Sequence, residues 1–568
     1  MLGAGLSSAL LHGSVGLLWG YATVQAPLWA GLWRGGAPLR SFVTAPLLAA
    51  PLTLASGLGA AAAATWLQSF GAGTVLQLAA GVGLSTVVGY GAGRALAARA
   101  VAQPLSAHRR GALVADAPRP GPGSRGAGVA LDRTRAGVTL AGLPVPHADE
   151  TKHFKLIGTT GTGKSTAISE MLAAALARGD RAVIADPDGG YLRRFYDERR
   201  GDVILNPFDA RSAKWDLFGE ISNDYDVEQL ARSLIPDHEG QDRSWRAYAR
   251  TFFTAVTSQA HAAGSRDVSE LYRLLVVAGT AELKTLVAGT PAQPFLEEHN
   301  GRMFDSIRSV TSSAVSALDY VARQRARPLA VRDWAQHPDV HGGVLYLPYR
   351  AGQIAALRST ISAWMRLAIF ETMGREPDGQ RLWFIVDELD ALGQIDGLKD
   401  ALARLRKFDG RCVLGFQSIA QVSSTYGSGE AQTLVENCGN TLILRCSGSE
   451  HGGTSQFASR LIGEREVTRI STSRSRTAFE LRSHVTYAEH VGVESAVMGS
   501  QIEQLPDLAG YLKLASSPQW LRVALRPAPY TPQTARTRSA TVLEFAPRRA
   551  PEREGAARAD AREGPEYE

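Results

Sequence analysis

One eight-residue stretch has the residue types and spacing of a phosphate-binding loop. Gly158-Thr-Thr-Gly-Thr-Gly-Lys-Ser165 matches the pattern G-x-x-x-x-G-K-[ST] throughout. Glycines let backbone amides surround phosphate oxygens, and a helix N-terminus adds its partial positive charge. Lys164 is expected to reach the β- and γ-phosphates, and the Ser165 hydroxyl to bind Mg²⁺. The nucleotide-binding residues predicted in this way are Gly158, Thr159, Thr160, Gly161, Thr162, Gly163, Lys164, Ser165 and Thr166.

A second stretch, "RLWFIVDELDAL", supplies paired carboxylates. Four apolar residues, Trp383–Val386, precede Asp387 and Glu388, and such a run is typical of a central parallel strand buried on both faces. Asp387 then lies at the carboxyl edge of the sheet, where α/β proteins bind ligands. We expect Asp387 to hold Mg²⁺ through water and Glu388 to polarise an attacking water.

Two further predicted strands end in polar residues. "RCVLGFQS" ends at Gln417, whose amide could sense an intact γ-phosphate or could simply cap the strand end. "RAVIADPDGG" ends in the same manner at Asp186, for which both a structural and a catalytic role are open.

The elements around these residues indicate an α/β fold. "FKLIG" before the loop is a short apolar strand, and "STAISEMLAAALARG" after it forms a helix that ends at Gly179. Residues 222–325 have apolar positions at helical spacing and no convincing strand, which predicts an all-α domain inserted in the nucleotide-binding domain (147–221 and 326–527). The arginines of this insertion could face a polyanion or form a solvated face; they are Arg246, Arg250, Arg302, Arg308 and Arg323.

The N-terminal region predicts a membrane anchor over residues 1–94. Its first 93 residues contain only two charged side chains, Arg34 and Arg40. Because a span needs roughly 20 apolar residues, we predict transmembrane helices at 43–67 and 73–93 and leave open a further span at about 8–32. Arginines on both sides of the hairpin place its turn outside and the rest of the chain in the cytoplasm.

The amino-acid composition restricts the class of protein and its partners less than these motifs do. The 568 residues are 45% hydrophobic and 20% charged with a net charge of +6, which fits a folded protein and permits a nucleic-acid or anionic-lipid partner. The three cysteines, Cys412, Cys438 and Cys446, lack C-x-x-C spacing and predict no zinc site. Residues 95–146, with the run "ADAPRPGPGSRGAG", are predicted as a linker, and 528–568 as a disordered charged tail.

Together these blocks resemble the TraD/TrwB family of coupling proteins, the membrane ATPases of type IV secretion systems. The resemblance is carried by "KLIGTTGTGKST", "RAVIADPDGGYLRRF", "VILNPFDAR", "LWFIVDELDAL", "GFQSIAQVSSTYG" and "EAQTL", in order, over roughly residues 147–520. It implies a RecA-like P-loop NTPase domain with an inserted all-α domain, preceded by N-terminal transmembrane helices in a bacterial inner membrane. The implied cofactors are ATP and Mg²⁺, and the implied assembly is a homohexamer with a central channel.

The resemblance also implies an activity and partners. Such proteins have an ATPase activity stimulated by single-stranded DNA, and they bring the relaxase–DNA complex, or relaxosome, to the secretion channel proteins. The implied catalytic residues are Lys164, Asp387, Glu388 and Gln417, and the implied metal ligands are Ser165 and Asp387. Some relatives carry a trans-acting arginine after the "EAQTL" block; here Arg404, Arg406 and Arg445 are the alternatives. An ATP-gated docking receptor without processive pumping and a DNA translocase of the FtsK/HerA kind stay open as other functions.

Overall fold

The computed structural model of the chain describes residues 22–37, 41–45, 47, 51–52, 66, 69, 71, 74–101, 106–118, 137–237, 242–338, 342–376, 380–450, 452–475 and 484–527. The predicted tail 528–568 lies outside these residues, as do most of the predicted span 43–67 and the first part of the possible span 8–32. The chain divides into two compact units, Met1–Arg109 with Glu466–Gly492, and Arg110–Arg465 with Val493–Glu568.

Two helices of the first unit meet through small residues. One helix covers residues 22–34, and the other, α1, is Thr74–Val101. A Cβ at Gly31 would come within 2.5 Å of a backbone oxygen of α1, and a Cβ at Gly93 within 2.3 Å of the Leu28 oxygen. Small residues therefore let the two backbones approach closely, as in helix pairs with a small-xxx-small pattern. Among the described residues, no helix combines the length and the apolarity needed to cross a membrane.

The strands of the described residues are short except for two long ones in the C-terminal part. In chain order they are β1 (Ser106–Gly111), β2 (Val114–Asp116), β3 (Thr139–Leu140), β4 (Leu143–Pro144), β5 (Phe154–Ile157), β6 (Arg181–Pro187), β7 (Val203–Ile204), β8 (Lys214–Trp215), β9 (Pro328–Leu329), β10 (Val344–Tyr349), β11 (Leu382–Val386), β12 (Gly410–Phe416), β13 (Asn440–Ile443), β14 (Glu464–Ser475), β15 (His484–Ser495), β16 (Ala509–Lys513) and β17 (Trp520–Ala524).

The α-helices that follow α1 either connect strands of the second unit or belong to the helical segment between β8 and β9. They are α2 (His147–Glu150), α3 (Lys164–Ala177), α4 (Gly190–Phe195), α5 (Asp224–Leu234), α6 (Arg243–Ala262), α7 (Val268–Tyr272), α8 (Thr280–Leu286), α9 (Gly301–Ala314), α10 (Ala317–Arg323), α11 (Val331–Gln336), α12 (Ile354–Met373), α13 (Leu398–Leu405), α14 (Ile419–Tyr426), α15 (Ser428–Asn437), α16 (Gly453–Ile462) and α17 (Gly499–Glu503).

Ten strands form the central sheet of the second unit in the order β2-β17-β16-β13-β5-β12-β11-β6-β10-β7. The seven strands from β13 to β7 run parallel to one another, whereas β16 pairs antiparallel with β13 and with β17. The carboxyl ends of the parallel strands therefore meet at one edge of the sheet, which is where α/β proteins place their sites. This arrangement, with helices around a large sheet, is the predicted α/β class.

Side chains of the parallel strands alternate between two apolar cores. In β11, Leu382, Phe384 and Val386 join the core on one face, and Trp383 and Ile385 join the core on the other. Burial on both faces explains why this strand is a continuous apolar run rather than an alternating one. The apolar side of α3 packs on the second face and fixes the start of the helix at the sheet's carboxyl edge.

The described residues from Asp224 to Arg323 contain helices and turns and no strand, as the helical spacing predicts. Strands β8 and β9, which flank this segment, pair in parallel with Lys214 opposite Pro328. Trp215 of β8 also packs edge-on against Trp364 of α12, with 5.7 Å between the ring centres. The two ends of the helical segment are thus joined beside the sheet.

A buried arginine on α12 connects this helical segment to the loop after β11. The Arg366 guanidinium donates to Gln229 O at 3.2 Å and to Ser233 Oγ at 3.0 Å, both on α5. It also donates to Asp396 O at 3.1 Å, and its guanidinium carbon lies 4.3 Å from the centre of the Phe370 ring. Burial lowers the pKa of Arg366, and Asp396 opposes that shift. A buried cation is held here because all of its donors have partners.

We expect Arg366→Met to destabilise the fold, because it removes the hydrogen bonds that join α12 to Ser233 of α5 and to the Asp396 carbonyl. The loss should be about 2–4 kcal/mol and should lower the melting temperature of the detergent-purified chain by several degrees. Arg302→Met removes an exposed arginine and serves as the control. Equal melting temperatures for the two variants would contradict the role given to Arg366.

Candidate nucleotide-binding site

The predicted phosphate-binding loop lies between β5 and α3 and depends on two glycines. Gly163 has a φ of 118°, which side chains other than glycine rarely adopt, and a Cβ there would lie 2.9 Å from Leu508 and Leu525. At Gly158, a Cβ would come within 2.8 Å of Thr162 Oγ1. The loop is therefore packed tightly on one side and open to the solvent on the other, as a phosphate cradle requires.

Lys164, the first residue of α3, folds back over this loop. Its Nζ donates to the Gly158 oxygen at 2.6 Å and to the Thr159 oxygen at 3.3 Å. Burial lowers the pKa of Lys164, while the negative charges of Asp387 and Glu388 raise it. The ammonium group is therefore held beside the two carboxylates, from which it can reach a phosphate bound in the loop.

Asp387 follows β11 and receives two hydroxyl groups on one carboxylate oxygen. Ser165 Oγ donates to Asp387 Oδ2 at 2.6 Å, and Tyr191 Oη donates to the same oxygen at 2.8 Å. The other oxygen, Oδ1, is buried and has no protein partner in the described residues. A carboxylate with one unsatisfied oxygen beside a serine hydroxyl fits the all-oxygen ligand set that Mg²⁺ prefers.

Glu388 and Gln417 are linked, and the link extends to the loop. The Gln417 side-chain amide donates to Glu388 Oε1, and Thr160 Oγ1 donates to the Gln417 amide oxygen at 2.9 Å. The contact forms because β12 lies between β5 and β11, so that Gln417 emerges between the loop and the acidic pair. Burial raises the pKa of Glu388, with the charges of Asp390 and Asp387 adding to the effect. The half-buried Glu388 is thereby suited to accept a proton from water.

Asp186 lies at the same edge but does not face the loop. Its two oxygens accept from the Tyr191 N–H at 3.1 Å and the Leu192 N–H at 2.7 Å, so it caps the first turn of α4. Burial raises the pKa of Asp186 to about 7, and these amide bonds oppose the shift. Of the two roles that the sequence left open, the structure supports the structural one.

Seven of the nine predicted nucleotide-binding residues, all except Gly158 and Thr162, line one cavity of about 370 Å³ together with the acidic pair and Gln417. It is lined by Thr159, Thr160, Gly161, Gly163, Lys164, Ser165, Thr166, Pro187, Asp188, Asp387, Glu388, Gln417 and Leu508. All four predicted catalytic residues are thus brought together, and the roles given to them stay predictions. No sequence pattern pointed to Leu508, which has a φ of 63° and whose N–H donates to the Thr162 oxygen at 3.0 Å.

The arginines singled out in the sequence have varied surroundings. Arg445 forms a 2.6 Å ion pair with Asp507, whereas Arg404 and Arg406 are exposed at the end of α13. In the helical segment, Arg308 donates to the Val276 and Ala278 oxygens at 2.8 and 2.7 Å.

Three further arginines of that segment also bind groups of their own chain. Arg246 and Arg250 donate to the oxygens of Pro236 and Ile235, at 3.5 and 3.1 Å, and Arg323 pairs with Asp319. Most of the arginines considered for a polyanion therefore stabilise the helical segment itself.

The fold and this site define a P-loop nucleotide-binding protein of the α/β class. A profile for the type IV secretion-system coupling protein DNA-binding domain matches residues 137–526, more than half of the chain. The chain therefore belongs to the TraD/TrwB family of type IV secretion-system coupling proteins, which confirms the resemblance noted in the sequence.

Individual relatives support the same assignment. Coupling protein TraD of Escherichia coli (strain K12) is 32% identical over 417 residues, which cover 72% of this chain and 56% of TraD, so the chain matches about half the length of that relative. The unbound conjugative coupling protein TrwBdeltaN70 is 31% identical with a TM-score of 0.64, covering 70% of this chain and 90% of TrwBdeltaN70.

TrwB has also been solved with nucleotides. Its complex with the non-hydrolysable ATP analogue ADPNP is 30% identical to this chain with a TM-score of 0.64, covering 76% of this chain and 96% of TrwB. The TrwB complex with ADP and Mg²⁺ is 31% identical with a TM-score of 0.62, covering 72% and 92% of the two chains.

Gly163→Ala should weaken nucleotide binding at least tenfold, because the backbone strain of a positive φ, roughly 1–3 kcal/mol, adds to contacts with Leu508 and Leu525. Binding of a fluorescent ADP derivative measures the change. Gly429→Ala is the matched control, since a Cβ at that exposed helical position meets nothing within 4 Å. Wild-type affinity in Gly163→Ala would show that the loop tolerates a side chain there.

Proposed function

We propose that this protein is a coupling ATPase that hydrolyses ATP with Mg²⁺ and uses the energy to move single-stranded DNA, with its bound relaxase, through a type IV secretion channel during conjugation. The observation that carries the proposal is the convergence of Lys164, Ser165, Asp387, Glu388 and Gln417 on one cavity. The proposal is supported by membership of the coupling-protein family and by the nucleotide complexes of TrwB.

The position of each of these residues suits it to one role in ATP hydrolysis. Lys164 neutralises charge on the β- and γ-phosphates, and Ser165 and Asp387 hold the magnesium ion. That ion, when bound, supplies charge stabilisation to the phosphates. Glu388 accepts a proton from the attacking water, and its raised pKa keeps it basic enough to do so. Gln417 contacts both Glu388 and the loop residue Thr160, so it can report whether the γ-phosphate is present.

The same proposal includes an anchor in the bacterial inner membrane, with the bulk of the chain cytoplasmic. Residues 1–93 contain only two charged side chains. Large apolar side chains are exposed in this region, including Trp33 and Val75, each with 80% of its surface accessible. Lipid would cover them. The close packing at Gly31 and Gly93 is of the kind that holds helices together where apolar surface alone cannot.

DNA binding is proposed for a homohexamer with a central channel. Helix α6 of the helical segment presents Arg243, with 71% of its side chain accessible and its guanidinium 3.7 Å from Asp237, and also the exposed Tyr248, whose ring packs edge-on against Trp245. A cation and aromatic rings on one helix suit a single strand, since unstacked bases bind ring faces and phosphates bind cations. Arg404 and Arg406 are both exposed on the single chain, and either of them is available to reach a neighbouring subunit's site in the proposed hexamer.

ATP turnover by the detergent-purified chain tests this function. We expect turnover to be stimulated by single-stranded DNA, to be suppressed by salt because the contact is electrostatic, and to appear only above a threshold protein concentration, as a hexamer requires. Lys164→Ala should abolish turnover and DNA transfer between cells but not membrane insertion. Glu388→Gln should still bind ATP. DNA transfer at the wild-type rate in Lys164→Ala would exclude a motor.

The acid limb of the hydrolysis pH profile should depend on Gln417. The carboxylate form of Glu388 is the active base, and its pKa is raised by burial and by Asp390 and Asp387, whereas donation from Gln417 lowers it. Gln417→Leu removes that donation, so the acid limb should move to higher pH. Gln432→Leu breaks a similar Gln–Glu hydrogen bond on the exposed face of α15 and is the control. An unshifted limb would argue against Glu388 as the base.

A further inference from the structure

Tyr191 is buried beside the site although nothing in the phosphate-loop chemistry requires a tyrosine there. The residue is 4% accessible, and its hydroxyl donates to Asp387 Oδ2 at 2.8 Å. Ser165 Oγ donates to the same oxygen at 2.6 Å. Both hydroxyls therefore bind one carboxylate oxygen, and they come from different helices, α4 and α3.

The position of Tyr191 is fixed by the turn between β6 and α4. Asp188 and Gly189 both adopt left-handed backbone angles, with φ of 56° and 65°, and the chain then enters α4. The buried Asp186 carboxylate accepts the N–H groups of Tyr191 and Leu192, which fixes the first turn of that helix. Because the backbone of Tyr191 is tied to the sheet in this way, its hydroxyl is a rigid donor rather than a mobile one.

The consequence concerns the second oxygen of Asp387. A carboxylate can rotate about its terminal bond, and that torsion is broad. With Oδ2 bound by two donors, Oδ1 has no protein partner within the described residues although it is buried. A buried acceptor without a partner is costly in free energy unless something else binds it. In the proposed function, that partner is the magnesium ion or its water.

We propose that Tyr191 is a positioning residue that fixes the orientation of the Asp387 carboxylate, so that Oδ1 is kept free for the magnesium ion of the bound nucleotide. The assignment rests on the proposed nucleotide-binding function and goes beyond it, because Tyr191 belongs to no part of the phosphate-loop pattern. Ser165 alone cannot hold the carboxylate in this way, since its hydroxyl is expected to turn to the metal when nucleotide binds. Outer-shell donors of this kind typically change metal affinity by 10–100-fold when removed.

The test is Tyr191→Phe in the full chain, which keeps the buried ring and removes only the hydroxyl. Binding of a fluorescent ADP derivative is titrated with Mg²⁺ and, separately, measured in EDTA. We expect the half-saturating Mg²⁺ concentration to rise about tenfold, with affinity in EDTA unchanged. A half-saturating concentration equal to that of the wild type would overturn the assignment. An equal loss of affinity in EDTA would overturn it too, because it would show a general disturbance of the site.

Tyr349→Phe is the matched control. Tyr349 is also a buried tyrosine at the carboxyl edge, on β10, but its hydroxyl has no hydrogen-bond partner among the described residues. Its loss should leave the Mg²⁺ titration unchanged. A rise equal to that of Tyr191→Phe would overturn the assignment, because any buried hydroxyl near the site would then have the same effect.

A double-mutant cycle with Asp387→Asn separates positioning from packing. Asp387→Asn should weaken the Mg²⁺ dependence by itself, and adding Tyr191→Phe should then change the titration little, because both act through one carboxylate. Additive effects of the two substitutions would overturn the assignment. A separate outcome is that the wild-type protein binds the fluorescent ADP derivative equally well with and without Mg²⁺. That result would contradict the proposed function itself and overturn the role of Tyr191 with it.

Discussion

The site is organised around one buried carboxylate. Asp387 is reached by a hydroxyl from α3 and by another from α4, and it follows the central strand β11. Three elements that are distant in the sequence are therefore held at a common point by hydrogen bonds to a single side chain. A buried carboxylate is tolerated only when such hydrogen-bond partners are in place. The positions of α3 and α4 at the end of β11 and the burial of Asp387 therefore depend on each other.

The order of strands determines what surrounds that carboxylate. Because β12 separates β5 from β11, the residue that ends β12 must emerge between the phosphate loop and the acidic pair. Gln417 occupies this place and contacts Thr160 on one side and Glu388 on the other. Thr160, Gln417 and Glu388 therefore form a continuous series of hydrogen-bonded side chains between the phosphate loop and the residue proposed as the base.

Much of this arrangement could be predicted from the sequence, because the phosphate loop and the apolar strands are local patterns. The pattern of β11 predicted burial on both faces, and the two apolar cores show it. Contacts between distant residues could not be predicted in this way. Tyr191 and Asp387 are 196 positions apart, and no local pattern connects them. The stretch "FKLIG" predicts only a short apolar strand, yet the ammonium group of its Lys155 is buried and donates to the carbonyls of Val435 and Cys438 at the end of α15.

The joined ends of the helical segment have a consequence for how such proteins diversify. Because Lys214 and Pro328 are neighbours in a short parallel pair, the chain leaves the nucleotide-binding domain and returns to it at almost the same place. Recombination could therefore exchange the whole segment for another without altering the path of any catalytic strand. The Arg366 contacts to α5 and the ion pair between Arg332 and Asp226 constrain such exchanges, since a new segment must present matching acceptors. The helical segment and the nucleotide-binding core can in this way evolve at different rates within one polypeptide.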